Sequence, residues 1–202
     1  SDVCSSDLPY AVGVDIACRM KLTITDIPVK SLESEKLHLI HCLNEETRFG
    51  VGAQFRKPHD HEVMDLDWSV TPLTARLKEK ARKQLGTSGS GNHFVEYGLF
   101  QIDRPDLGLQ PGQYLAILSH SGSRGSGAEV AAHYSRLARD LHPELPKELS
   151  ALAWLDLDKE EGQEYWAAME LMGHYAAANH AVIHRELVKA LKTRVLAQLE
   201  HH

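Results

Sequence analysis

The chain has 202 residues, a formal charge of −6, and 43% hydrophobic and 25% charged residues; this excludes a disordered or membrane-embedded chain and leaves room for one domain, or two small ones, with a real core. No apolar run approaches the roughly 18 residues of a spanning helix. A pI near 6.1 excludes a protein that holds nucleic acid by bulk positive charge, so any RNA or DNA would have to be gripped in a local groove.

Residues 1–8, SDVCSSDL, lack the basic and apolar regions of a signal peptide and read as a non-native leader. Val12–Ile16 and Lys21–Thr25 are short β-type runs. Leu37–Phe49 fits either helix or strand, and Gly50–Trp68, with PHDHEVMD at its centre, reads as a polar surface loop. Thr71 or Thr74 can cap a helix through ARLKEKARKQL, and Gly86 stands where a glycine would stop it. Asn92–Ile102 alternates as a strand does, Asp103–Gly112 is a turn and Gln113–Leu118 a second strand. The Gly/Ser-rich loop SHSGSRGSG then leads to a helix at Ala128–Leu141, and Lys159–Gln198 is helical over most of its length. The expected fold is α+β, in one unit.

Three segments carry chemistry. Asp15 and Cys18, three residues apart at a strand end, place a carboxylate and a thiolate where both could ligate a metal, although a cysteine in an apolar stretch also reads as a small buried hydrophobe. GTSGSGNHFVE (86–96) is glycine-rich enough to offer backbone N–H groups to an anion, with Asn92 and His93 at its mouth; no Gly-Lys-Ser/Thr or following helix makes it a Walker or dinucleotide loop. SHSGSRGSG (119–127) joins a strand to a helix N-terminus, a ready anion site, with His120 at the strand end and the Arg124 fork matched to phosphate oxygens. A metal site abutting a phosphate site explains the three together. Among the other histidines, His59 and His61 could bind a metal as an H-x-H pair and His180 and His184 as an i, i+4 pair, but His59 and His61 read rather as loop residues, His174, His180 and His184 as helix residues, and Cys42 as a core thiol. Three widely spaced cysteines among 202 residues suit a reducing, cytoplasmic setting better than a disulfide framework, and thirteen histidines favour metal ligation.

GVDIACRM resembles the Gly-Val-Gly-x-Asp-Ile-Gly-Cys-Gly-Met motif of the RtcB RNA ligases, GTSGSGNHFVE their Gly-Gly-Gly-Asn-His-Phe-x-Glu motif, and HSGSRGSG their His-Ser-Gly-Ser-Arg-Gly motif, in the family's order. The resemblance covers about Pro9 to the C-terminus and implies mixed sheets with flanking helices. It implies a GTP-dependent, two-Mn²⁺ enzyme that joins RNA 3′-phosphate or 2′,3′-cyclic phosphate ends to 5′-hydroxyl ends through a histidine–GMP intermediate, as in tRNA splicing and RNA repair. By position it implies that Asp15, Cys18, His93 and His120 are metal ligands, Cys18 bridging two ions. Asn92, His93, Phe94, Val95 and Glu96 would form the guanine-nucleotide strip, and Arg124 would lie on the phosphate side. A further metal histidine lies near the end of a long helix in the family, and His202 falls at that place, if His201-His202 is a native motif rather than a tag scar. Ala11, Ala17, Arg19, Ser88 and Ser90 replace the common glycines, as in a divergent subgroup. Nothing matches the guanylated histidine or the base-binding lysine, so residues 9–202 are expected to be the N-terminal and central part of a larger catalytic domain, inactive alone. The residues alone also admit a metal-dependent phosphoesterase or a non-catalytic metal- and RNA-binding remnant.

Overall fold

The computed structural model describes residues 6–12 and 16–201. In chain order the elements are β1 (Ser6–Asp7), α1 (Pro9–Val12), β2 (Arg19–Thr25), α2 (Ser31–Ser34), α3 (Lys36–Glu46), α4 (Pro72–Gln84), β3 (Phe94–Ile102), β4 (Gly112–Ser121), α5 (Arg124–Leu141), β5 (Leu155–Asp156), α6 (Glu160–Leu191) and β6 (Val195–His201). The fold is α+β, as its sequence pattern predicts. β1 pairs only with β5; the other four strands form one antiparallel sheet in the order β3-β4-β2-β6.

α6, about 48 Å long at 1.5 Å per residue, joins two cores. Along its first part Tyr165, Ala168, Met172, Tyr175 and Val182 pack with Leu77 and Ala81 of α4 and Val130, Tyr134 and Ala138 of α5. Further on, Ile183 and Leu187 meet Val95 of β3 and Ile117 of β4. Strand side chains alternate between faces, so odd-numbered residues of β4 point at α6, while His120 points to the opposite face with Phe94. β6 is held in register by Glu200, which pairs with both Arg19 and Lys21 of β2 at 3.1 Å.

Local chemistry explains the element boundaries. α4 begins with a reciprocal cap: the Thr71 hydroxyl accepts from the Thr74 amide, the Thr74 hydroxyl accepts from the Thr71 amide, both at 3.1 Å, and Pro72 opens the helix. Gly86, at φ +88°, follows its end. α6 ends differently: Lys192 takes the left-handed conformation at φ 50°, its N–H bonds back to Lys189 and that of Thr193 to Val188, the double closure of a Schellman motif without its usual glycine.

Several sequence expectations need correction. Lys159–Gln198 is helical over most of its length, as expected, but the helix ends at Leu191, the chain turns at Lys192 and Val195–His201 returns as the sheet's edge strand. Most of the expected β run at Val12–Ile16 lies outside the described residues; of its ends, Val12 closes a helical turn over Pro9–Val12 and the Ile16 side chain enters the helical core. Leu37–Phe49 is mostly helix α3. The Gly50–Trp68 segment is irregular, as expected, but inserts Val63 and Trp68 into the core. The loop expected at Ser119–Gly127 shrinks to Gly122-Ser123, because β4 continues to Ser121 and α5 starts at Arg124. Its serines are buried, and three of their hydroxyls bond inside the protein: Ser119 to His180, Ser121 to the Ser88 carbonyl, Ser123 to the Ile16 carbonyl. Part of the expected leader is structured, since Ser6 and Asp7 pair with Asp156 and Leu155.

Candidate metal centre

Strand register brings three candidate ligands, one cysteine and two histidines, to one end of the sheet. In β4, His120 lies opposite Met20 of β2 and Phe94 of β3, and Ser121 lies opposite Arg19. Cys18 immediately precedes β2 and His93 immediately precedes β3, so both flank His120. One ligand atom from each of Cys18, His93 and His120 lies within 4.8 Å of the others. The Cys18 thiol is 3.4 Å from His93 Nε2, and the His93 and His120 rings stand nearly edge-to-face with centroids 5.4 Å apart. His93 is buried; Cys18 and His120 are half-buried.

The polar contacts suit a cation. His120 Nδ1 is buried with no hydrogen-bond partner among the described residues, an expensive state for a ring nitrogen that a metal or a proton acceptor would relieve. Asn92 Nδ2 approaches His120 Nε2 at 3.4 Å. Arg124 Nη1 donates to His93 Nδ1 at 2.9 Å, and because a guanidinium only donates, this ring's proton sits on Nε2, facing the sulfur, and would have to leave for a cation to bind at that nitrogen. One thiolate and two imidazoles form a borderline-soft set suited to zinc or iron; a harder ion such as Mn²⁺ calls for carboxylate oxygen as well.

The remaining expected site residues have distinct placements. Asp15 and His202 lie outside the described residues. His201 is in the same cross-strand row as His120, separated from it by Met20, and is exposed on the edge strand. A strand therefore leads to this C-terminal pair, where a helix end was expected. Asn92, Phe94 and Glu96 border the metal face, Asn92 and Glu96 exposed, whereas the Val95 side chain packs in the core against Ile117 and Ile183 and leaves only its backbone to any ligand. Arg124 is buried, donates to His93 and to Thr87 Oγ1, and packs against Gly89. Four amides of the glycine loop are used internally: Gly86 on the Asn179 side chain, Thr87 on Gln84, Ser88 on Arg48 and His93 on Ser90. Any anion nest here is therefore narrower than the sequence suggests.

Behind the candidate ligands lies a layer to which the sequence reading assigned no role. Ser119 and Ser121, on either side of His120, reach α6 on the other face of the sheet. The Gln198 amide donates to Thr23 Oγ1 at 2.9 Å, leaving that hydroxyl to donate to His184 Nδ1 at 2.7 Å. His184 Nε2–H then donates to Ser119 Oγ at 2.8 Å, which donates to His180 Nδ1 at 2.6 Å, and His180 Nε2–H ends the chain on the Ser121 carbonyl at 3.0 Å. Every ring nitrogen in this relay is satisfied. Burial keeps both rings neutral, holding His180 down to about 4 and His184 down to about 3. The signal in the sequence was the i, i+4 spacing of His180 and His184 in a helix otherwise built from alanine and aliphatic residues.

A family model described as tRNA-splicing ligase RtcB matches residues 67–201, about two thirds of the chain. The chain belongs to the RtcB family. It is 26% identical to the tRNA-splicing ligase RtcB of Thermococcus kodakarensis over 87% of this chain and 44% of that protein, and 28% identical to that of Pyrococcus horikoshii over 82% of this chain and 23% of that protein. It is likewise 27% identical to the Methanococcus maripaludis protein of the same name, of which it covers 44%. The chain thus spans less than half the length of these RtcB relatives. The family match includes His93 and His120; Cys18 lies upstream of it. No helix among the described residues is long and apolar enough to cross a membrane.

Proposed function

We propose that this RtcB-family chain provides the metal-binding part of an RNA ligase that joins 3′-phosphate or 2′,3′-cyclic phosphate ends to 5′-hydroxyl ends, using GTP and Mn²⁺ and a histidine–GMP intermediate. The convergence of Cys18, His93 and His120 at one sheet end supports this reading. Asp15 and His202 are proposed to complete the ligand set, Asp15 supplying the hard oxygen that Mn²⁺ favours. Two divalent cations held there would neutralise phosphate charge and polarise the attacked phosphorus. Arg124 orients His93 from behind, and Asn92, Phe94 and Glu96 form the rim along which the guanine nucleotide would lie. No motif of the 202 residues matches the histidine that takes GMP, so residues 9–202 are proposed as one part of a larger catalytic unit.

Two measurements test this. Calorimetric titration with Mn²⁺, Co²⁺ and Zn²⁺ should show binding to the 202-residue chain, lost in Cys18→Ser, His93→Ala and His120→Ala. With radiolabelled GTP and Mn²⁺ this chain should remain unlabelled, while a form extended to the length of its relatives should become covalently guanylylated and seal RNA. A covalent guanylate on the 202-residue chain, or phosphate release without sealing by the extended form, would overturn the proposal.

A further inference from the structure

We infer that Asn179, on the far side of the sheet from the ligands, is a positioning residue that sets the spacing between His93 and His120; this rests on the reading of the Cys18–His93–His120 cluster as a metal centre. β3 pairs with β4 from Phe94↔His120 onward, so the strand ladder holds His93 from one side. On its other side the chain is the glycine loop after α4, and a fixed distance to His120 needs that loop anchored to β4 as well, by a tie from a third element.

Asn179 supplies that tie. Its side chain is fully buried in α6. Oδ1 accepts from the Gly86 amide at 2.7 Å, and Nδ2 donates to the Thr87 carbonyl at 3.0 Å and to Ser121 Oγ at 3.2 Å. One planar amide thus holds two consecutive residues of the loop that ends at His93 and the residue next to His120. Ser121 Oγ closes the triangle by donating to the Ser88 carbonyl at 2.7 Å. The next α6 residue, His180, takes the Ser121 carbonyl and the Ser119 hydroxyl, so consecutive residues on a rigid helix grip both neighbours of His120. Among the described residues, neither Asn179 nor Ser121 makes a polar contact to the side chain of Cys18, His93 or His120. A buried amide is costly unless its groups are paired, and here each partner lies on a segment that carries a ligand. Partners that orient metal ligands from behind typically change affinity by about 10–100-fold when removed.

The experiment compares Asn179→Asp, which keeps the shape but loses the two donated bonds, and Ser121→Ala, which removes only the shared hydroxyl. Tyr175→Phe serves as reference, deleting an equally buried α6 hydrogen bond, to the Ala81 carbonyl at 2.8 Å, that touches neither segment. The readouts are Co²⁺ affinity by calorimetry and the thiolate-to-Co²⁺ absorption band of the bound ion, with circular dichroism to confirm folding. Asn179→Asp is expected to weaken Co²⁺ binding about 10–100-fold and alter the band, Ser121→Ala to do the same to a smaller extent, and Tyr175→Phe to lower the unfolding midpoint while binding Co²⁺ as the parent does. Should Asn179→Asp not fold, Ser121→Ala decides alone. Parent-like affinity and spectrum in the folded variants would overturn the inference and leave the metal centre standing; absence of Co²⁺ binding by the parent chain would overturn the metal-centre reading itself, and the inference with it.

Discussion

Gly89 occupies a position where only a hydrogen atom fits. Its backbone is at φ +104°, and a Cβ there would overlap the Arg124 guanidinium that donates to His93. Gly91, two residues on at φ +74°, has open space around it. Gly91→Ala therefore carries only the left-handed backbone cost, about 1 kcal/mol, whereas Gly89→Ala adds the displacement of a buried guanidinium and is expected to destabilise by about 1–3 kcal/mol. Urea unfolding of the two variants separates the terms, and only Gly89→Ala should also weaken metal binding. His180 and His184 yield a second prediction. In the unfolded chain both titrate near the ordinary 6.5, while burial holds them at about 4 and about 3 in the folded protein. Between those limits the unfolded state binds more protons, so stability is complete above about pH 6.5 and falls as the pH drops toward 4, by up to about 1.4 kcal/mol per pH unit for each ring. Asp26 and Glu200, held low by their hydrogen bonds and ion pairs, act only at more acidic pH. Urea midpoints at pH 7.5 and 5.0 should show the loss, to which His59 and His61, also held below the ordinary histidine value by burial, add, and His184→Gln should make that slope shallower.

Among the elements, legibility depended on whether a boundary used its ordinary residue. The Thr71/Thr74 cap and Gly86 were readable because threonine hydroxyls and a positive-φ glycine are the usual devices for starting and stopping a helix. The end of α6 was not, because its left-handed position is filled by Lys192, and VKALKTRVLAQ contains no breaker. That misreading turned an edge strand into helix and placed His201-His202 at a helix end. The same position predicts a gain: Lys192→Gly removes the strain of a side chain at φ 50° and, after the added freedom of glycine in the unfolded chain, should stabilise by about 0.5–1 kcal/mol, seen as a higher urea midpoint. The Ser/Gly tract at 119–127 misled for a different reason. Composition records that serines are polar but not that Ser119, Ser121 and Ser123 spend their hydroxyls on internal acceptors, which lets strand and helix advance into what looked like a loop. The clustered Cys18, His93 and His120 were legible in spite of this as candidates, since cysteine and histidine beside glycine-rich strand ends keep their chemistry whatever the neighbouring boundary does. Asn179 was not legible: an asparagine within AAANHAVIH gives no sign that its amide faces three partners from two distant segments.

At the scale of the molecule, the proposed centre lies where three strands end together. Cys18 leads β2, His93 leads β3 and His120 lies in β4 between them, so an ion bound there would cross-link three strands at the end of the sheet opposite the β3–β4 turn. Nothing comparable assembles in the unfolded chain, so binding free energy there becomes folding free energy. At a metal concentration 100 times the dissociation constant the gain is about 2.7 kcal/mol. A chain of this size shifts its melting temperature by about 2–4 °C per kcal/mol, so saturating Mn²⁺ or Co²⁺ should raise the midpoint by about 5–10 °C, reversibly on chelation. His93→Ala should melt at the same temperature with and without metal. An equal shift in that variant would place the stabilising ion elsewhere on the molecule and remove the sheet-end cluster as the metal centre.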